Sequence, residues 1–219
     1  MKWILWKLGI VELPAEDEVR LSDNPERIHP VLRRTPYFLS LRDFLDYVPG
    51  PEFFGFCIIR HPLERLQSFY KDKIKTGEWS KGALKKFEKK YGVSPGTSWP
   101  KYLEKVLQIP QSEQNQHIRS FTETLAPIRT SWPIRLYTIN QLDSWAEDFG
   151  SHMETLGRSV QLQQMLPRLN QSSPVRKLSI KGNLSVPRRL AGAFEEAYGQ
   201  DIDIVELVER HGGSQIFPN

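Results

Sequence analysis

The chain has 219 residues, a length that supports one domain with a sizeable buried core. Its formal net charge of +4 favours an anionic ligand, such as a nucleotide or an acidic glycan, but is too small for the basic signature of nucleic-acid binding. The single cysteine, Cys57, excludes an intrachain disulfide, and no apolar run approaches the ~20 residues that span a bilayer. These features predict one domain over residues 1–219 in a reducing, cytoplasmic setting, with no nucleic-acid partner and no transmembrane segment.

The first part of the chain predicts two helices joined by a loop. Residues 1–10 predict a buried helix, because their apolar side chains would cover most of its circumference. The stretch is too short for a signal peptide and lacks a small-residue cleavage site. Prolines are spaced along residues 11–36 and predict a loop, and Ser40 begins a short helix that ends before Pro49. The opening helix has no preceding strand on which to pack.

Residues 53–59 form a continuous apolar run, which is typical of a strand inside a parallel sheet that helices cover on both faces. Arg60 follows directly, and Pro62 begins a helix whose apolar residues recur at helical spacing as far as Ile74. Because open α/β sheets bind ligands beyond the carboxyl ends of their strands, we expect Arg60 to lie in a ligand crevice. The positive end of the helix points into the same crevice.

The rest of the chain predicts a further alternation of helices and strands. A second strand is expected at residues 134–139 and a helix containing Leu142, Trp145 and Phe149 after it. The other predictions are short helices near residues 85–90 and 99–107, irregular chain at 158–183, and two closing helices at 187–198 and 202–208. Residues 111–131 are rich in Gln, Asn, Ser and Thr. One α/β domain is the economical architecture.

Arg65 and Ser68 are three residues apart on the predicted helix, on a face away from its apolar stripe. An arginine fork and a hydroxyl that converge near a helix N-terminus are typical of a phosphate site. The alternative is an ordinary strand–helix corner with a capping proline and a solvated arginine. The residues alone therefore predict an anion site formed by Arg60, Arg65 and Ser68.

The pattern Arg60-x-Pro62-x-x-Arg65-x-x-Ser68-x-Tyr70 after an apolar strand resembles the 3′-phosphate-binding motif of Golgi-type carbohydrate sulfotransferases. These enzymes take a sulfuryl group from 3′-phosphoadenosine 5′-phosphosulfate. The resemblance implies that Arg60 and Ser68 hold the 3′-phosphate and that Arg65 supports the phosphate or its loop. It also implies a P-loop NTPase-like, three-layer fold with a central parallel sheet, transfer to a carbohydrate hydroxyl and no metal. Weaker similarities follow in the family's order at residues 114–117, 136–143, 169–174 and 197–202.

The front of the chain departs from the family pattern. The family holds the donor's 5′-phosphosulfate with a lysine-bearing loop between a first strand and a first helix. Residues 2–6 resemble the helix after that loop, and Lys2 comes too late in the pattern to be the loop lysine. We therefore expect the first strand and donor loop to be missing, either by truncation or in a catalytically inactive relative that binds nucleotide or glycan. The Golgi members are membrane-anchored, and no such anchor is predicted here.

Sulfuryl transfer to a hydroxyl requires a base within hydrogen-bond reach, and two histidines are candidates. His29 lies in the loop region where related sulfotransferases often carry their base, and His117 lies on a polar segment expected on the acceptor side. For both, a solvated histidine is an equally good interpretation.

Further sequence features bear on function. Lysines at 81–90 could contact an acidic glycan, although a solvated helix face is the favoured interpretation. The tryptophans at 79, 99 and 132 could stack on sugars, but core packing is expected for most of them. No His, Cys or Asp spacing predicts a metal site. A nucleotide kinase is a poorer alternative, because the phosphate-loop motif Gly-x-x-x-x-Gly-Lys-Ser/Thr does not occur.

Overall fold

A computed structural model of the protein describes residue 50 and residues 53–77, 79–126, 134–158 and 184–211, together with the backbone of residues 215–216. The chain divides into two compact units. The first comprises Met1–Phe53 and Phe149–Asn170, and the second comprises Phe54–Asp148 and Gln171–Asn219. The described residues of the first unit are Gly50, Phe53, the carboxyl-terminal part of one helix and the short turn after it. A single domain over residues 1–219 therefore stays a prediction.

The described elements alternate between helix and strand. In chain order they are β1 (Gly55–Ile59), α1 (Pro62–Phe69), a π-helical turn (Tyr70–Lys75), α2 (Lys81–Tyr91), α3 (Trp99–Leu107), a 3₁₀ turn (Gln111–Glu113), α4 (Phe121–Leu125), β2 (Ile134–Thr138), a 3₁₀ turn (Ile139–Gln141), α5 (Leu142–Thr155), a 3₁₀ turn (Arg188–Leu190), α6 (Ala191–His211) and β3 (Gln215–Ile216).

The described sheet has the strand order β1-β2-β3. The strands β1 and β2 are parallel, with Gly55 opposite Ile134 and Ile59 opposite Thr138. The short β3 pairs antiparallel with β2. The parallel pair confirms the predicted α/β class, whereas the antiparallel β3 was not predicted. Because β1 and β2 end at the same edge, Arg60 lies at the edge where open α/β sheets bind ligands.

The core of the second unit is rich in aromatic residues. Tyr102 and Leu103 of α3 are completely buried, as are Leu66 of α1 and Ile74 of the π-helical turn. The same cluster includes Tyr198 of α6. Burial of these side chains removes apolar surface from water on one face of α1, which leaves its opposite face free for polar contacts.

One sequence prediction about helices is wrong. The closing segment is one helix, α6, rather than two, because the buried Asp201 accepts hydrogen bonds from another segment and does not compete for its own backbone. The short helix α4 lies in the polar stretch at 111–131, for which no helix was predicted. Its cap is Ser120, whose side chain accepts a hydrogen bond from the Glu123 N–H. The helices predicted over residues 1–10 and from Ser40, and the irregular segment after residue 158, lie outside the described residues.

Candidate functional site

A cleft of about 320 Å³ lies along α1 in the second unit. This volume is at the lower end of the range of about 300–1,000 Å³ that is usual for ligand sites. We call it the anion cleft and define it by its lining residues, which are Arg60, Arg65, Ser68, Phe69, Asp72, Lys73, Trp79 and His117. Three of these side chains are cationic and one is a carboxylate, so the cleft favours a negatively charged ligand.

The cleft takes most of its lining from one helical face. Arg65, Ser68, Phe69, Asp72 and Lys73 follow the spacing i, i+3, i+4, i+7 and i+8, which places side chains on one side of a helix. The structure continues this face through α1 and into the π-helical turn. A π-helical turn within a helix is frequent at functional sites.

The N-terminus of α1 is closed by a histidine. The Leu63 N–H donates to Nδ1 of His61 across 3.3 Å, and Pro62 occupies a first-turn position that needs no hydrogen-bond donor. Because Nδ1 of His61 accepts this backbone hydrogen bond, that nitrogen is occupied within the cap. His61 does not line the anion cleft.

Two donors in the cleft are available to a ligand. Within the described part of the chain, neither the Arg60 guanidinium nor the Ser68 hydroxyl forms a hydrogen bond or an ion pair. Asp72 pairs with the adjacent Lys73 at 2.7 Å, and both side chains are partly exposed. The Arg60 guanidinium, at the carboxyl edge of β1, and the Ser68 hydroxyl, on α1, therefore present unoccupied hydrogen-bonding groups to the cleft, where an anion would complete them.

Arg65 is held by a carboxylate that solvent does not reach. Its Nη2 donates to Oδ2 of Asp201 at 3.2 Å, and the Asp201 side chain is 0% exposed while that of Arg65 is 19% exposed. Four further donors reach Asp201: the Phe121 N–H at 3.0 Å, the Thr122 N–H at 3.1 Å, and the hydroxyls of Ser120 and Thr122 at 2.6 and 2.9 Å. One buried carboxylate therefore fixes both Arg65 and the N-terminus of α4.

His117 is an exposed residue at the side of the cleft. Its ring stacks on Phe69 with the centroids 6.0 Å apart, and its backbone N–H donates to Oδ1 of Asn115 at 2.9 Å. Partial burial, followed by the positive charge of Lys73, lowers the pKa of His117 below its ordinary value of 6.5. A neutral imidazole that faces an anion site near pH 7 can accept a proton.

The segment that carries His117 is fixed by side chain–backbone hydrogen bonds. The amide of the buried Gln114 donates to the carbonyls of Val106 and Ile109 at 3.1 and 2.9 Å. The Tyr198 hydroxyl lies 3.0 Å from Gln114 Oε1 and 2.9 Å from the Ile118 carbonyl, either of which can accept its proton. These contacts hold the irregular segment in one conformation, which a functional side chain requires.

The model of the sulfotransferase family matches residues 20–204, a stretch that contains the whole anion cleft. The chain belongs to the sulfotransferase family. No curated protein and no solved structure matched the chain. Family membership supports an enzyme that transfers sulfuryl groups in general, and it is consistent with a cleft lined by three cationic side chains.

The sulfotransferase brings together four of the five residues that sequence analysis singled out. Arg60, Arg65, Ser68 and His117 line the same cleft, and their roles stay predictions. His29, the other candidate base, lies outside the described residues. Trp99 is buried, with its indole N–H donating to the Ser185 carbonyl at 2.8 Å, which confirms core packing for this tryptophan.

Sequence reasoning missed Asp72 and Lys73 at this site and gave Asp201 no role. Lys73 and Asp72 continue the spacing of Arg65 and Ser68 by one turn, so the helical periodicity could have found them. Asp201 falls in the 197–202 stretch that resembles the family, but its partners lie 79 to 81 residues away for α4 and its cap, and 136 residues away for Arg65, so no local pattern predicts its contacts. Trp79, which was named as a possible sugar-stacking residue, follows the π-helical turn and contacts Phe69 edge-on at 5.4 Å.

The described residues contain no group of three or more His, Cys, Asp or Glu residues placed to hold a metal ion. Burial raises the pKa of the Cys57 thiol to about 11, so this cysteine is not a nucleophile near neutral pH. Among the helices that the structure describes, none has the length and apolarity to cross a membrane.

Proposed function

We propose that this sulfotransferase moves a sulfuryl group from 3′-phosphoadenosine 5′-phosphosulfate to a carbohydrate hydroxyl. The proposal includes a P-loop-like, three-layer α/β fold. The family generally uses this donor, and a small molecule or glycan is the acceptor that membership implies. The observation that carries the proposal is the convergence of unpartnered Arg60 and Ser68 with His117 in one cleft of about 320 Å³.

In this proposal Arg60 and Ser68 bind the 3′-phosphate of the donor. The Arg60 guanidinium can donate two parallel hydrogen bonds to phosphate oxygens, and the Ser68 hydroxyl can donate a third. Arg65 supports the site from the side, because Asp201 already occupies its Nη2. Lys73 adds positive charge to the same cleft.

His117 is the proposed general base. As the acceptor oxygen forms its bond to sulfur, the hydroxyl proton moves to a ring nitrogen of His117. The bond between sulfur and the donor's bridging oxygen breaks, and adenosine 3′,5′-bisphosphate leaves with that electron pair. A lowered pKa keeps His117 neutral and ready for this step near pH 7. His29 remains the alternative base.

Calorimetric titration with adenosine 3′,5′-bisphosphate, and separately with ATP, tests the donor site. We expect the bisphosphate to bind and ATP to bind more weakly. Arg60→Ala should weaken bisphosphate binding about 10- to 100-fold, which corresponds to the loss of a charge-assisted hydrogen-bonded contact. Arg188→Ala removes an exposed arginine elsewhere and is the matched control, with an expected change below about twofold.

Unchanged affinity in Arg60→Ala would reject the assigned site, and preference for ATP would reject the donor. Turnover is then measured as sulfated oligosaccharide formed from 3′-phosphoadenosine 5′-phosphosulfate. Binding of the bisphosphate without any product would instead favour a catalytically inactive nucleotide- or glycan-binding protein.

A further inference from the structure

A second cleft, of about 300 Å³, lies beside the first in the same compact unit. We call it the lysine groove and define it by the six lining residues that matter here: Trp79, Lys86, Phe87, Lys90, Glu113 and Asn115. Its volume would accept about one sugar residue or a small part of a larger chain. The groove has no role in donor binding as proposed above.

The floor of the groove is aromatic. Phe87 stacks with Tyr91 at a centroid distance of 4.1 Å, and both rings are buried. Trp79 is partly exposed and lies 5.7 Å from Phe87. A partly exposed indole beside buried rings offers an apolar surface with a polar edge, which suits the apolar face of a sugar ring.

The rim of the groove is cationic. Lys86 and Lys90 are exposed and four residues apart on α2, so their side chains project from the same face. In the described part of the chain, neither ammonium group pairs with a carboxylate. Lys90 donates instead to the backbone carbonyl of Glu113, which ties it to the opposite wall of the groove. The only acidic side chain in the lining is that of Glu113.

The lysine groove and the anion cleft share a wall. Trp79 lines both, and the segment that bears Asn115 in the groove bears His117 in the cleft. The hydrogen bond from the His117 N–H to Asn115 Oδ1 holds these two residues together at 2.9 Å. A chain-like ligand in the groove would therefore pass along Trp79 and present its next group to His117.

We infer that the lysine groove binds the acceptor and that this acceptor is an oligosaccharide with carboxylate or sulfate groups. The inference rests on the proposed function of the anion cleft and adds the acceptor's charge and position. Trp79 supports a sugar ring, Lys86 and Lys90 pair with its anionic groups, and the adjoining hydroxyl reaches His117. A neutral glycan would leave both ammonium charges without a countercharge among the described residues.

Helix α2 provides a matched control. Lys86→Gln with Lys90→Gln removes the two groove charges. Lys85→Gln with Lys89→Gln removes two exposed charges from the same helix, and these residues line neither cleft. Both variants change the net charge equally, so a difference between them reports position rather than overall attraction. Circular dichroism and thermal unfolding first establish that both variants fold.

The probes are a hyaluronan hexasaccharide, which carries carboxylates only, a chondroitin sulfate hexasaccharide, which carries both groups, and a neutral chitin hexasaccharide. Binding is measured by calorimetry in about 0.1 M salt, where exposed charges are partly screened. We expect at least one anionic probe to bind. Substitution of Lys86 and Lys90 should weaken it about tenfold, and substitution of Lys85 and Lys89 by less than about twofold. The stronger of the two anionic probes identifies the group that the groove prefers.

An equal loss in the two variants would overturn the inference, because it would mean diffuse attraction to a basic helix. Equal or tighter binding of the neutral hexasaccharide would overturn it as well. Bisphosphate affinity is measured on the same variants. Intact bisphosphate binding with no anionic oligosaccharide bound would reject the groove alone, whereas absence of bisphosphate binding in the unaltered protein would reject the proposed function.

Discussion

In the anion cleft, Arg65 is held by a carboxylate that solvent does not reach, whereas the lysine groove takes its charge from Lys86 and Lys90, which stand in solvent. The first arrangement fixes one guanidinium in place and removes its freedom to move. The second has exposed ammonium groups on long side chains, one of them bonded only to a backbone carbonyl, so they can adjust to a ligand more readily than the paired guanidinium can. The two neighbouring clefts therefore suit different anions: a single compact phosphate in one, and charges spaced along a chain in the other.

The charged residues of the two clefts should also differ in how much they contribute to the free energy of unfolding. Buried charges are costly unless they are fully paired, so loss of one partner is strongly destabilising. Exposed charges on a helix are screened by water and contribute little. Substitutions in the two regions should therefore separate sharply in their effect on folding.

The largest expected effect is that of Asp201→Asn. The amide cannot accept from five donors or balance the charge of Arg65, so the free energy of unfolding should fall by about 3 kcal/mol or more. Urea denaturation followed by circular dichroism measures it. Asp203→Asn changes an exposed carboxylate on the same helix and should shift stability by less than about 0.5 kcal/mol. Similar losses in the two variants would show that Asp201 has no special structural role.

The smallest effect should come from the lysine helix. Lys85 has lysines four residues away on both sides, at positions 81 and 89, and like charges at this spacing repel. Lys85→Glu turns both repulsions into attractions near the N-terminal half of α2. We expect a gain of at most about 0.5 kcal/mol, measured by the same urea titration. A clear loss of stability would mean that Lys85 has a structural contact that its exposure does not suggest.

The strand and the helix that carry Arg60, Arg65 and Ser68 could be predicted from local sequence patterns. The apolar run before Arg60 and the helical spacing after Pro62 are properties of adjacent residues, and the structure has β1 and α1 there. The strand predicted at 134–139 is β2, Ile134–Thr138. Helix α4 was not predicted, although Ser120 and Glu123 have the Ser-x-x-Glu spacing of a helix start. The contribution of Asp201 to its N-terminus comes from a distant part of the chain and has no local pattern.

The polar stretch at 111–131 is more buried than its composition suggests. Gln114, Ser120 and Thr122 look like residues of a solvated loop, yet all three are buried and hydrogen-bonded. A polar side chain is stable in the interior when its partners are supplied. Ser120 and Thr122 bond to the distant Asp201, and Gln114 bonds to backbone carbonyls five and eight residues away. The closing segment was divided at Gly199 and Asp201 because both residues usually disfavour a helix interior. Tertiary hydrogen bonds to Asp201 override that preference.

Arg60 and His117 line one cleft, so an anion bound by Arg60 should lie close to the proposed base. An NMR pH titration of the His117 ring, assigned with His117→Gln, tests this proximity with and without saturating adenosine 3′,5′-bisphosphate. In the free protein we predict a His117 pKa below about 6.5, because burial and Lys73 disfavour the charged ring. Bound bisphosphate should raise that pKa, since nearby negative charge favours the imidazolium. In Arg60→Ala the same rise should require bisphosphate concentrations about 10- to 100-fold higher. A His117 pKa that is identical with and without saturating bisphosphate would mean that the bisphosphate does not bind beside His117.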